Sequence, residues 1–534
     1  MKKALRITRY LLLSLVGLLF ALWLLLQTPG FQNWLVQTAS HRLSRSLGTK
    51  VQVKRAYLGF LNRLNIEGVL VQDQQRDTMI SIGRLQVNTT DWLLFKDTVV
   101  IKYLALKDVR VRLYRNDTTW NYAFLDKLFG GKTDTTNAPA QGSDTAGGAP
   151  PLALRLEILQ IDNLRFIQAD RWRGKSMLAG VGHLYLKARQ FDVNKQQFHI
   201  QTLELQQPEF RELRRKGNWS PADSIAYYRK IDSLDKLRTF PESWNPGGMK
   251  LVVDQVKLDG GIVEIYNRLD RPFVRGEFDE KDIIIQPING SFRNLVLDHD
   301  TLTSDVAISA RERSGLNIKK LQSRFRMHPQ LMEFSRLDLQ LNESRLGPYY
   351  AMRYRTFDDM EYFVDSVRIS ARLENSTVSM KDIAFFAPEL KSIKQVATLS
   401  GSAEGTVSNF TVRNVDLRTG NSRLTGTYSM KGLIDIDKTV IDFNTPGSRL
   451  ALPDVAVWAP QLLQLKNTPV SKLGIVTYTG NFKGTVYDFA ARGNLQTDVG
   501  YLGADLKMRL SGKNQGFEGT VTNAHIDGGR LLDV

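Results

Sequence analysis

From Val51 to Val534 apolar and polar residues alternate with a period of two, and this constrains the chain more than any other feature. Val51 and Val53, Val69 and Val71, or Val109, Val111 and Leu113 put apolar side chains at every second position, the mark of strands with one wet face. Few stretches break the pattern, so the expected fold class is mainly β with a few short helices.

The strands repeat. Ile101, Leu104, Leu106 and Val111 have the spacing of Leu156, Leu159, Ile161 and Phe166, of Ile200, Leu203, Leu205 and Phe210, and of Val253, Val256, Leu258 and Val263. In three of the four a turn-forming pair separates the halves: Lys107 and Asp108, Asp162 and Asn163, Asp259 and Gly260. Apolar parity flips across that pair, so a tight turn or bulge is required there to keep one face apolar. A longer unit follows. Ser376, Asp382, Ala384, Ala387, Pro388 and Leu390 match Ser448, Asp454, Ala456, Ala459, Pro460 and Leu462, and Gly401, Gly405, Thr406, Val407 and Phe410 match Gly480, Gly484, Thr485, Val486 and Phe489. Repeated β units stack in a line, each burying its apolar face against the next, which predicts an elongated body.

Before the strands come two apolar helical signals. Residues 10–26 are almost unbroken apolar, with Lys2, Lys3, Arg6 and Arg9 in front. At ~1.5 Å per residue they cover roughly 26 Å, near the lower limit for a membrane crossing. Positive charge on the short N-terminal side places that side in the cytoplasm and exports the remainder. A cleaved signal peptide is the alternative. The run exceeds the usual ~7–15 apolar residues and no Ala-x-Ala site follows, so an uncleaved inner-membrane anchor is expected. Next, Phe31, Trp34, Leu35, Ala39, Leu43 and Leu47 recur at helical spacing between Pro29 and a stop at Gly48. Such a helix either lies on the bilayer or closes the end of a β structure; an open edge beside a membrane must be covered, which favours closure.

Two interruptions stand inside the strand region. Residues 131–151 are rich in Gly, Ala, Thr, Asp and Pro and read as a flexible insertion. Residues 220–237 read as a helix, with Ser220 as N-cap, Pro221 in the first turn, and Ile225, Tyr228, Ile231, Leu234 and Leu237 as its apolar stripe. Arg211, Arg214, Arg215 and Lys216 precede it as a solvated loop or, alternatively, an anionic contact. The expected organisation is residues 1–27 as cytoplasmic tip and anchor, 28–130 as a helix and β module, 131–151 as the insertion, 152–370 as β repeats carrying the helix, and 371–534 as further β repeats.

Composition removes several functions. There is no cysteine in 534 residues, so neither a disulfide nor a thiolate metal site exists. The net charge of +17, from 72 basic and 55 acidic residues, is spread along the chain, as on a soluble surface with some preference for anionic membranes. No zinc-finger, homeodomain or base-stacking motif points to nucleic acid. Gly130, Gly131, Lys132 and Thr133 end like a phosphate-binding loop, yet Asp126 stands where its first glycine belongs. Asp298, His299 and Asp300 begin like a calcium loop, but Leu302 occupies the next ligand position. The six histidines show no ligand spacing. No catalytic residue, cofactor or metal ligand is expected.

The anchor, the helix ending at Leu47 and Gly48, the stretch from Gly68 to Asp73 with Asp77 and Thr78, then Asp91 and Trp92, Val109 and Val111, and Trp120 and Asn121 resemble the N-terminal part of TamB-type proteins of the AsmA-like superfamily. The Gly-x-x-x-Gly-Thr-Val units resemble repeats of that superfamily. The resemblance implies an inner-membrane anchored, periplasm-crossing β-groove that conducts phospholipid toward the outer membrane, or helps to assemble outer-membrane β-barrel proteins. One departure is that the C-terminal region expected of TamB-type proteins is not recognisable before Val534, so the chain reads as a fragment or a shorter relative.

A lipid groove also makes physical sense. A two-chain lipid exposes about thirty methylenes, and at ~0.8 kcal/mol each its passage through water costs roughly 25 kcal/mol. A continuous apolar trough removes most of that barrier. The expected lining is Ile101, Leu104, Leu106, Val111, Leu156, Leu159, Ile161 and Phe166, with Val253, Val256 and Leu258. Closed sandwiches without a cavity are the competing arrangement. A scaffold for β-barrel assembly predicts exposed strand edges instead, and an anchored hydrolase predicts clustered polar groups.

Overall fold

The computed structural model describes residues 28–59, 63–89, 100–126, 153–193, 195–237, 243–267, 274, 276–433, 437–458, 470–510 and 515–532. The expected anchor, the low-complexity insertion, the Gly130 to Thr133 motif and the Asp91 and Trp92 pair lie outside the described residues. Among the described residues no helix is long and apolar enough to cross a membrane. The chain is mainly β with a few short helices, and it divides into two compact units.

Unit one lies within Met1–Leu237, Met249–Pro272 and Glu280–Asn294. Its strands are β1 (Val51–Gly59), β2 (Arg63–Gln72), β3 (Thr78–Thr89), β4 (Val100–Arg115), β5 (Ala153–Asp170), β6 (Lys175–Asp192), β7 (Gln197–Gln206), β8 (Glu209–Arg214), β9 (Lys250–Tyr266) and the first part of β10 (Asp282–Asp298). β1 to β4 form an antiparallel meander. β5 joins β4 in parallel, and β6 returns antiparallel. β7 and β8, end to end, pair antiparallel with β6 and parallel with β9. A parallel neighbour needs a crossover of about a dozen residues or more. Both interruptions read from the sequence are such crossovers, one joining β4 to β5 and one joining β8 to β9.

Helix α1 (Pro29–Leu47) has Thr28 as N-cap, proline in its first turn, and Gly48 at φ 61° as its left-handed stop. It closes against the start of β1: Ser44 Oγ accepts from Val51 N at 2.9 Å, and Leu47 packs on the cluster of Val51, Val69, Val71 and Met79. Phe124 and Leu125, flanking the centre of α2 (Ala123–Asp126), join that cluster. The family-like motif is a structural lock. Buried Asp73 accepts from Gln75 N, Asp77 N, Asn121 Nδ2 and Tyr114 Oη, at 2.9–3.2 Å. Burial, with the Asp73 and Asp77 carboxylates, pushes the Tyr114 hydroxyl well above its ordinary value.

The second crossover carries α3 (Pro221–Leu237), with a reciprocal cap between Ser220 and Asp223. Of its expected apolar stripe, Ile231 is half-buried, whereas Ile225 and Tyr228 are 54% and 57% exposed. Aromatic contacts fix the start of the helix: the Tyr227 and Tyr228 rings lie 5.6 and 5.8 Å from Trp219, and Tyr227 lies 4.4 Å from the Arg173 guanidinium.

Every parity flip occurs at one line. Gly68, Asp108, Asn163, Gln207 and Gly260 adopt φ of 66°, 55°, 56°, 50° and 66°. Register aligns them across adjacent strands, with Gly83 and Gly182 filling the line on β3 and β6. The required device is therefore a bulge, since β4, β5 and β9 continue through it. Gln207 occupies the line in the one unit without a turn-forming pair.

Unit two comprises Arg238–Gly248, Phe273–Asp279 and Leu295–Val534. It contains β11 (Thr301–Glu312), β12 (Asn317–His328), β13 (Leu331–Gln340), β14 (Arg345–Leu346), β15 (Pro348–Arg353), β16 (Arg368–Ser379), β17 (Val396–Gly405), β18 (Asn409–Thr419), β19 (Ser422–Lys431), β20 (Val440–Ala451), β21 (Ile475–Gly484), β22 (Asp488–Thr497), β23 (Gly500–Arg509) and β24 (Gly516–Ile526). Successive strands pair antiparallel, β14 and β15 sharing one place between β13 and β16. Here too left-handed residues, Arg336, Asn375 and Asn414, stand where register slips.

Short helices α4 (Phe363–Ser366), α5 (Met380–Ile383) and α6 (Leu452–Trp458) punctuate the sheet. The last two belong to the long repeat and do the same work. Asp382 Oδ2 accepts from the backbone of Glu343 and Ser344 at 2.9 and 2.7 Å, while Asp454 Oδ2 accepts from Asn421 N and Ser422 Oγ at 2.8 and 2.7 Å. Ser344 Oγ in turn accepts from Ser379 N, and Ser422 Oγ from Ala451 N, both at 2.9 Å. Each helix thus ties down the preceding hairpin with one carboxylate and one serine.

Candidate functional site

Register brings the repeat positions into rows that run across the strands. In unit one, Leu104, Leu159, Leu186, Leu203 and Val256 are successive partners, extended on the other side by Val87 and Leu64. Beside them run Ala56, Ile66, Leu85, Leu106, Ile161, Leu184, Leu205 and Leu258. Beyond the bulge line lie Val53, Val69, Ile82, Val109, Leu164 and Val181, then Val51, Val71, Ile80, Val111, Phe166, Ala179, Phe210 and Val263. A row of eight strands at ~4.8 Å spacing covers at most roughly 34 Å, less with twist.

The expected lining residues fall mostly on these rows. Leu104, Leu106, Val111, Leu159, Phe166 and Leu258 are half-buried, whereas Ile161 and Val256 are buried. Val253 pairs with Ile200, which pairs with Ala188; all three are buried and seal one margin. Leu156, 4% exposed, is equally closed off, and Ile101 pairs with Leu154 rather than with Leu156. The keystone strand β6, with Ala179, Val181, Leu184 and Leu186, was not among the expected lining. A signal for it exists: apolar steps of two, three and two recur at Leu64, Ile66, Val69 and Val71, at Ile80, Ile82, Leu85 and Val87, at Leu104, Leu106, Val109 and Val111, and at those four β6 positions. That spacing is palindromic, so it reads alike in parallel and antiparallel strands.

Unit two has two longer rows. One runs Phe325, Phe334, Tyr350, Ala371, Ala403, Val412, Tyr428, Phe443, Phe482, Ala491 and Leu506. The other runs Leu302, Met327, Met332, Met352, Ile369, Gly405, Phe410, Met430, Ile441, Gly484, Phe489, Met508 and Phe517, crossing thirteen strands without a polar residue. Five of the chain's 11 methionines stand in this row. Rings stack along the first: Phe443 lies 5.4 Å from Tyr428 and 5.3 Å from Phe482. Burial pushes the Tyr350 phenol up to about 12, so it stays a neutral member. Between Met327 and Met508 every side chain larger than glycine in both rows is half-buried.

The other face of each unit is polar. Lys257 meets Glu204 at 2.7 Å and Arg211 meets Glu264 at 2.9 Å in unit one; Arg326 meets Glu333 at 2.7 Å in unit two. Such exposed pairs each contribute at most about 1 kcal/mol, enough to favour register without driving folding. The calcium-like stretch is a loop anchor: Asp300 Oδ1 accepts from Asn245 N and Ser243 Oγ, which hold its carboxyl below the ordinary range. Among the described residues no three His, Asp or Glu side chains are grouped to hold a metal ion.

No protein-family model matches the chain, and neither a curated protein nor a solved structure is detectably similar to it.

Proposed function

We propose that the chain is an inner-membrane anchored, periplasmic β-groove protein that conducts phospholipid between the inner and outer membranes of a diderm bacterium. The observation that carries this reading is that long, unbroken apolar rows are largely half-buried, interspersed with buried positions in unit one and, for side chains larger than glycine, without exception from Met327 to Met508 in unit two. A closed sandwich would bury those side chains, and a free surface so apolar would aggregate. A bound acyl chain satisfies both. The apolar run at residues 10–26, the motif order resembling TamB-type proteins, and the absence of a metal or nucleophile pattern in the sequence support the same reading.

A photo-crosslinking residue at Leu104, and separately at Phe166, tests it in intact cells. Phospholipid adducts at both, with none at Lys107 or Arg165 on the polar face, are expected. Folded protein without adducts at either position would sink the proposal.

A further inference from the structure

We infer that unit one holds a second site, for the phosphate of a lipid headgroup, on the margin of its apolar face; this rests on the conduit reading. Moving outward from Val111, Phe166, Ala179 and Phe210, the next row on the same face is Leu113, Gln168, Met177 and Glu212, and the one after is Arg115, Asp170 and Lys175. The face thus changes from aliphatic to charged within two residues, the profile an amphiphile presents.

A cavity of about 830 Å³ opens at that margin, roofed by α3. Its base is built rather than incidental. Arg215 N donates to Gly174 O at 2.7 Å, Asn218 N to Arg171 O at 3.1 Å and Trp219 N to Trp172 O at 3.0 Å, fastening two loops together. Gly174, at φ 77°, and Gly217 allow that approach, since a Cβ on either would stand 2.0 or 2.4 Å from the facing carbonyl oxygen. The Arg115 guanidinium is held between Trp120 and Trp172, 5.0 Å from each ring, and bonded to Asp170 at 2.6 Å.

The cavity's carboxylates are already engaged. Asp170 takes Arg115, Glu212 takes Lys175 at 2.9 Å, and Asp223 caps α3. Lys230, exposed on the roof, has no ion-pair partner among the described residues. Arg173 stacks on Tyr227 and reaches Asp170 only at 3.8 Å, leaving guanidinium donors for an incoming anion. The buried Arg115 Nε also lacks a partner. Arginine on rings, beside a lysine with no ion-pair partner among the described residues, suits a phosphate better than a quaternary ammonium, because cations already occupy the ring faces.

The test titrates full-length protein in detergent with fluorescent phosphatidylglycerol, with diacylglycerol of the same chains, and with glycerol 3-phosphate. The paired change Arg173→Gln with Lys230→Gln should weaken phosphatidylglycerol binding by about a hundredfold, the loss of two charge-assisted contacts, and leave diacylglycerol unchanged. Lys230→Glu alone, at an exposed position, should act in the same direction. Unchanged phosphatidylglycerol binding overturns the headgroup site and leaves the conduit standing; so does equal loss of both lipids with the fold intact. Glycerol 3-phosphate binding as tightly as the lipid assigns the cavity to a free phosphate and overturns the proposal. Wild type that binds glycerol 3-phosphate but neither lipid overturns the conduit reading instead.

Discussion

Unit one builds its apolar face from Leu, Ile and Val, includes parallel strand pairs, and borders it with a charged, aromatic margin. Unit two is antiparallel throughout and builds its face from Met, Phe, Tyr, Ala and Gly. Branched aliphatic side chains are stiff and hold one surface shape. Methionine adapts to whatever lies on it, and Gly405 and Gly484 let the neighbouring backbone approach, since a Cβ on either would stand 2.2 Å from a carbonyl oxygen. The difference gives unit one an apolar face of fixed shape and unit two a face that can adapt to what lies on it.

The sharpest way to break this comparison is to charge each face in turn. Leu106→Glu in unit one and Phe482→Glu in unit two should each lower phospholipid adduct formation by tenfold or more, about the cost of opposing an acyl chain with an ionised group. If only one does so, the proposed lipid contact belongs to that unit alone. A smaller effect is expected on the locks. Asp73→Ala strands two backbone donors in unit one and removes one of two acceptors from each of Tyr114 and Asn121, and should cost about 3 kcal/mol, whereas Asp382→Ala strands two backbone donors in unit two and should cost about 2 kcal/mol. Denaturant melts, with hydrogen exchange to locate the loss, check whether each change stays in its own unit.

The bulge lines should be equivalent in both units. Asn163→Val and Asn414→Val each force a β-branched residue into left-handed backbone and should cost about 1–2 kcal/mol. A neutral result at either would mean that its strand can pass straight through. The smallest effect concerns Asp416, where hydrogen bonds from Arg418 and Arg423 lower the carboxyl to about 2. A depressed carboxylate adds stability above its unfolded pKa of about 4 and loses it as pH falls through about 2. Asp416→Asn should therefore cost under about 1 kcal/mol at neutral pH, after solvent screening, and nothing below pH of about 2.

Much of this was legible in residue order, and the rest failed for identifiable reasons. The parity flips at Asp108, Asn163 and Gly260 required bulges, and each residue is left-handed. The long repeat surfaced as strand, helix, strand, with Asp382 and Asp454 in matching roles. Rows across strands were not legible, because alternation assigns a face to Leu186 but not its neighbours. Helix α3 was legible in its bounds and cap, but Tyr227, which meets Trp219 and Arg173, lies off the stripe that helical spacing marks. Its basic approach, with Arg215 fastened to Gly174, became meaningful only beside Trp172 and Tyr227.

The bulge line has one more consequence. Left-handed residues kink individual strands, among them β4 at Asp108, β5 at Asn163 and β9 at Gly260, so the curvature of the apolar face is decided strand by strand, while its extent within a unit grows with the number of strands paired. Duplicating a strand, helix and strand segment lengthens the face by about 10 Å, two strand spacings, and leaves its cross-section untouched. Copying or deleting whole segments can therefore change the extent of such a face without redesigning its strands.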